Sequence, residues 1–119
     1  MSVAYDTVHE RLVTAVPEFR PALAEHVADY AEVLQHLLFG DLTRFTLAAH
    51  EAGDSAIVNR VLDFLATEWE AGDVSVQELI AVSFVENVGP WEERQQRFIS
   101  TWPRSLRAEA QRQRDWKPA

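Results

Sequence analysis

Gly72-Asp73-Val74-Ser75-Val76-Gln77-Glu78-Leu79-Ile80-Ala81-Val82-Ser83-Phe84-Val85-Glu86-Asn87-Val88-Gly89 contains a nearly unbroken apolar run from Leu79 to Val85. Its β-branched residues would suit a buried strand. Against that, 16 residues separate the two glycines, which is long for a strand. Ser75-Val76-Gln77-Glu78 also has the form of a capping box, in which a hydroxyl and a carboxylate satisfy amide groups at a helix start. The reading is therefore helix. A helix apolar on nearly all sides has to be surrounded by other elements, so this one is expected to be central.

Outward from it, the punctuation is regular. Gly40, Gly53, Gly72 and Gly89 with Pro17, Pro21, Pro90, Pro103 and Pro118 separate stretches of 12 to 18 residues rich in Ala, Leu, Glu and Gln. That is helix length and helix chemistry, and each breaker is expected at a boundary. Gly53-Asp54 and Gly72-Asp73 each pair a glycine that can end one helix with an aspartate that can cap the next. The tetrapeptide Glu-Ala-Gly-Asp occurs at 51–54 and again at 70–73, which reads as repeated helix–turn–helix punctuation. Leu23, Val27, Tyr30, Leu34, Leu37 and Leu38 recur at helical spacing, as do Ile57, Val58, Val61, Leu62, Leu65 and Trp69. Short loops imply antiparallel neighbours. The expected fold is all-α: a compact antiparallel bundle of six or seven helices, with HEAT-like helix-pair stacking as one form of it.

The 119 residues suffice for one domain with a real core. The absence of cysteine excludes disulfides, thiolate metal sites and a thiol nucleophile. The first 17 residues lack the basic start and apolar run of a secretion signal, and no window reaches the roughly 18 apolar residues of a membrane span. A cytoplasmic protein is expected. The formal net charge of −8 hides an asymmetry. Residues 1–92 hold 16 acids and four arginines, a net of −12, whereas 93–119 hold three acids and seven cations, a net of +4. The chain thus divides into an acidic helical part, 1–103, and a basic C-terminal helix or tail, 104–119, which either docks on the acidic part as one domain or frays. Such acidity disfavours nucleic acid and anionic membranes as partners, because phosphates require Lys and Arg to replace their counterions. A basic protein is the natural complement.

No catalytic residue, cofactor or metal is expected. His9, His26, His36 and His50 form no metal-ligand spacing and read as surface residues. The serines lie outside any nucleophile motif, and the isolated glycines form no phosphate loop. The informative residues are polar and on one helical face. Glu25, Asp29, Glu32 and His36 are four, three and four apart, a ladder with no cation positioned to offset it; Arg60, by contrast, can pair with Asp63. Glu86 and Asn87 sit near the end of the central helix, where an acid opposes the helix dipole. With Trp91 beyond the breaker, they could line a groove. The candidate partner-binding set is therefore Glu25, Asp29, Glu32, His36, Glu86, Asn87 and Trp91.

Val61 to Leu65, Gly72-Asp73 and Val76 to Val88, together with Leu37-Leu38-Phe39-Gly40-Asp41-Leu42-Thr43-Arg44-Phe45, resemble a family of small acidic bacterial proteins known only as a domain of unknown function. The resemblance covers about Pro17 to Val88. It implies a single cytoplasmic domain and no catalytic residues, and by likeness to other small acidic proteins an immunity-type role beside a toxin. The expected function is neutralisation of a toxin domain by covering its basic site with acidic helix. Two alternatives stand beside it: a small helical enzyme or ligand carrier with a pocket near Glu86, Asn87 and Trp91, and a regulatory homo-oligomer joined through Phe64, Phe98 and Trp102. A monomer or weak homodimer is expected.

Overall fold

The computed structural model describes residues 2–116. Lys117 and Pro118, counted above with the basic tail and the breakers, lie outside the described residues. Helix α1 spans Val3–Ala15, a 3₁₀ turn follows at Pro17–Phe19, and α2 (Arg20–Tyr30), α3 (Gln35–Glu51) and α4 (Ser55–Glu70) succeed it. Then α5 (Val74–Ile80), a π turn (Ala81–Val85) and α6 (Glu86–Val88) run on as one rod, before a 3₁₀ turn (Glu93–Gln95), the short α7 (Gln96–Ile99) and α8 (Arg104–Trp116). Counting the rod once, the described residues form an all-α bundle of seven helices without strands.

The rod occupies the centre, as its apolarity requires. Leu79, Ile80, Phe84 and Val85 are fully buried among Val8 and Leu12 of α1, Leu38, Phe39 and Leu42 of α3, Val61 and Leu65 of α4, and Leu106 of α8. Its start is capped by Asp73, whose Oδ1 accepts from Val76 N at 3.0 Å. Ser75 is therefore inside the first turn rather than a capping-box residue. The Ser2 hydroxyl donates to Asp73 Oδ2 at 2.7 Å and accepts from Tyr5 N at 3.0 Å, so the starts of α1 and α5 are tied together. These hydrogen bonds, that from Ser2 above all, hold the Asp73 carboxyl below its ordinary range. Gly89 ends the rod with φ +89°, a left-handed conformation that favours glycine.

The middle of the rod is unusual. Glu86 N donates to Ala81 O, five residues back, and the widened turn presents its carbonyls to neighbours. Ser83 O accepts from Thr43 Oγ1 of α3 at 2.9 Å and from Asn87 Nδ2 at 2.8 Å. Ala81 O accepts from Gln113 Nε2 of α8 at 3.0 Å. Two flanking helices are thus pinned to the same turn by hydrogen bonds to its backbone.

Several sequence expectations are corrected. The helix expected to run from Pro21 through Leu38 is broken: Ala31 adopts φ +59°, and residues 31–34 separate α2 from α3. The cause is His26, which lies buried beneath the turn and whose Nε2 accepts from Leu34 N at 2.9 Å. Of the predicted stripe Leu38 is buried and Leu23 packs half-buried against the core, while Val27, Tyr30 and Leu37 are exposed. Gly40 is a breaker by type yet lies inside α3, buried. Arg60 pairs with Glu18 of the first 3₁₀ turn rather than with Asp63, through Nη1 to Oε1 at 2.7 Å. Phe64, Phe98 and Trp102 are buried in this chain's own core, which removes them as a self-association patch.

The basic C-terminal helix lies against the acidic part. Leu106 and Ala110 of α8 are buried, and α8 packs on α4 and on the π turn. Glu109 is buried with them. Arg112 forks onto its carboxylate at 2.8 and 2.7 Å, and Gln113 Nε2 adds a bond at 2.8 Å. Burial pushes the Glu109 carboxyl up, but these donors outweigh it and hold it below its ordinary range. A second tie crosses the bundle, where Arg11 of α1 forks onto the mostly buried Glu68 of α4 at 2.8 and 2.8 Å.

Two outcomes follow from these geometries. A Cβ at Gly40 would meet nothing nearer than 3.8 Å, so Gly40→Ala should raise stability by about 0.5–1 kcal/mol through helix propensity alone. Urea unfolding checks it, and a loss of stability would show that α3 needs the glycine for closer approach. The Arg60 guanidinium, first by hydrogen bonding, pushes the Glu18 carboxyl down to about 2 from an ordinary 4.5. A lowered acid pKa stabilises the fold above the ordinary value and loses that contribution as pH falls toward the lowered one. Arg60→Gln should return the Glu18 titration toward 4.5 and flatten the acid loss of stability below it. An unmoved carboxyl titration by NMR would break the assignment.

Candidate functional sites

The break between α2 and α3 shapes the first site. Glu25 and Asp29 project from α2 into a cavity of about 280 Å³ that they share with Ala22, His26, Tyr30 and Asp41. Asp41 comes from α3 and pairs with Arg44 one turn on. Tyr30 stands over His26, ring centres 4.8 Å apart. Nε2 of His26 accepts from Leu34 N, and Nδ1 is buried without a hydrogen-bond partner among the described residues. On this corner Val27, Tyr30 and Leu37 are 41%, 48% and 51% exposed. Glu25, Asp29 and Glu32 are exposed too, and none of the three forms an ion pair among the described residues. The corner therefore combines uncovered apolar side chains with uncompensated carboxylates.

The four-rung ladder itself is not formed. Glu32 sits in the turn, and His36 lies beyond the break in the first turn of α3. His36 Nδ1 is 2.6 Å from the Ser83 hydroxyl of the π turn. Its ring helps line a separate cavity of about 280 Å³ with Ser2, Tyr5, Asp6, Ser75 and Glu78. Burial, then the charges of Asp6 and Glu78, push the Tyr5 hydroxyl above its ordinary value, so it stays protonated at neutral pH. A serine and a histidine at this distance satisfy part of a nucleophile–base arrangement. Ser83 is buried, however, and among the described residues no carboxylate hydrogen-bonds the other nitrogen of His36. The pair ties α3 to the rod.

Glu86 and Trp91 do share a groove, of about 460 Å³, whose other walls are Ala81, Val82, Arg112, Gln113 and Trp116. Asn87 is not part of it. Its amide donates to Ser83 O and lies beside Gly40. Trp116, 75% exposed, completes the groove from α8. Among the buried charged or titratable groups, sequence reasoning missed His26, Glu68 and Glu109. A lone histidine on a polar helix face carries no mark of burial, and the Arg11–Glu68 pair spans 57 residues. Among the described residues no group of three or more His, Asp or Glu side chains is placed to hold a metal ion, and no helix is long and apolar enough to cross a membrane.

These features define an all-α bundle whose distinctive chemistry is on its surface. A family model described as a domain of unknown function, DUF7674, matches residues 9–117, and the chain belongs to that family. The match includes the basic C-terminal helix, which the sequence resemblance stopped short of. No curated protein and no solved structure matches the chain.

The His26 contact is testable. His26→Phe keeps the ring and removes the acceptor, leaving the Leu34 amide without its bond, at a cost of about 1–3 kcal/mol. Amide exchange at Leu34 should accelerate in the variant. Unchanged protection there would mean that the break has another cause.

Proposed function

We propose that this protein is a cytoplasmic protein-binding module of immunity type, which neutralises a basic partner, most naturally a toxin domain acting on an anionic substrate, by covering its positive site. The observation that carries the reading is the α2–α3 corner, where exposed Val27, Tyr30 and Leu37 sit among Glu25, Asp29 and Glu32. Apolar and aromatic anchors supply binding energy once desolvated. Carboxylates around them speed encounter with a basic surface and reject acidic ones. The net −12 of residues 1–92 extends the same field over most of the molecule. Occlusion needs no catalytic group, which fits a buried Ser83 and a protonated Tyr5.

The test compares binding of a basic toxin domain by the wild-type chain and by Glu25→Lys/Asp29→Lys/Glu32→Lys. Reversal should lower affinity by about a hundredfold or more at physiological salt, two desolvated charge contacts being worth about 3 kcal/mol, and should abolish protection from the toxin. Retained affinity would place the interface elsewhere. A second reading, a small-ligand carrier, is favoured by the groove of Glu86 and Trp91. Its side chains Val82, Trp91 and Trp116 offer apolar walls, and Glu86 and Arg112 one charge of each sign. Glu86→Lys would weaken such a ligand and leave toxin protection intact.

A further inference from the structure

The C-terminal helix carries a feature of opposite sign. Arg104, Arg107 and Arg114 line one concavity of about 470 Å³ between α7 and α8. On α8 they fall at i, i+3 and i+10, a single stripe. Arg104 makes no hydrogen bond among the described residues. Arg107 uses Nε to hold Trp102 O at 2.9 Å, which leaves both terminal nitrogens available. Arg114 reaches only the exposed Glu93, at 3.5 Å. Three guanidinium groups on one groove, barely compensated, repel one another unless an anion joins them. The groove also has an apolar wall, the exposed Ala108 with buried Pro90, Ile99 and Ala110 behind it.

We infer that this groove is a binding site for a small molecule bearing a phosphate ester. Guanidinium forks match the oxygen geometry of phosphate and hold it by two parallel hydrogen bonds. The volume lies in the range of small-molecule sites, and the apolar wall offers a place for the organic part. A nucleic-acid strand fits poorly. Its neighbouring phosphates would meet exposed Glu92 and Glu93 on one side and Glu70, which accepts from Ser105 at 3.3 Å, on another. A strand needs a continuous cationic track, and here these acids interrupt the arginines on either side of the groove. The site is independent of the α2–α3 corner and stands or falls separately from it.

The experiment titrates the full chain, ¹⁵N-labelled, with inorganic phosphate, with adenosine monophosphate and with single-stranded DNA as probes. The monophosphate ester should saturably shift signals of α7 and α8 and bind more tightly than inorganic phosphate. Arg104→Gln/Arg114→Gln, both exposed, should weaken it about tenfold or more, as expected for loss of charge-assisted hydrogen bonds. Arg94→Gln, which removes one cation outside the groove, should leave it nearly unchanged. Arg104→Lys/Arg114→Lys keeps charge without the fork and should fall between, and it provides the reading should the glutamine variant fail to fold. No saturable shift with the ester overturns the site. So does equal weakening by Arg94→Gln, which would reduce it to general charge. Tighter binding of DNA than of the ester overturns the ligand class.

Discussion

One extra residue in a turn of the central rod organises the bundle. In an α-helix each carbonyl is taken by an amide four residues on, and a donor from a neighbouring helix has to share it. In the π turn Ala81–Val85, backbone carbonyls are open to other donors, and Thr43, Asn87 and Gln113 supply them. Hydrogen bonds to buried carbonyls are directional and costly to leave unmade. They therefore fix where α3 and α8 lie along the rod, which greasy packing alone would leave free to slide. The His36–Ser83 contact adds a third pin at the same level. One inserted residue also advances the helix phase by about 100°. Glu86 and Asn87 thus point differently than an unbroken helix would direct them, the one to the groove beside α8 and the other to Ser83.

The second organising element is a histidine acting as a hinge pin. His26 is buried where the chain must turn, and its Nε2 replaces the backbone partner that Leu34 N loses outside a helix. By stopping α2 early, it swings α3 into the core with Leu38, Phe39 and Leu42. Val27, Tyr30 and Leu37 are left on the outside as a direct result. Surface chemistry at this corner is the by-product of a buried hydrogen bond.

Much of the fold was legible because it rests on short-range signals. The glycines at 53, 72 and 89 do end helices, with the left-handed backbone their type permits, and Asp54 and Asp73 do cap the next. The apolarity of Leu79 to Val85 correctly placed the rod at the centre. What escaped was set by distant or atypical chemistry. A break made by His26 and an alanine at φ +59° has no Gly or Pro to announce it. The π turn depends on Thr43 and Gln113, far away in sequence. Gly40 misled because residue type was read without its surroundings. Of the candidate site residues, Glu25 and Asp29 share a cavity and Glu86 and Trp91 share a groove, as spacing suggested. His36 and Asn87, both exposed, each hydrogen-bond to Ser83 of the π turn instead.

The burial of Glu109 under Arg112 and Gln113 has an electrostatic corollary. Because α8 neutralises its own internal acid, its other arginines are not consumed by docking and stay on the surface. The molecule is therefore polarised, with a positive cap on a negative body, and carries a permanent dipole as well as a net charge. A charged macromolecule approaching through dilute salt would be turned by that dipole before any side chain touched it, and the torque would fade once the Debye length shrank below the size of the bundle.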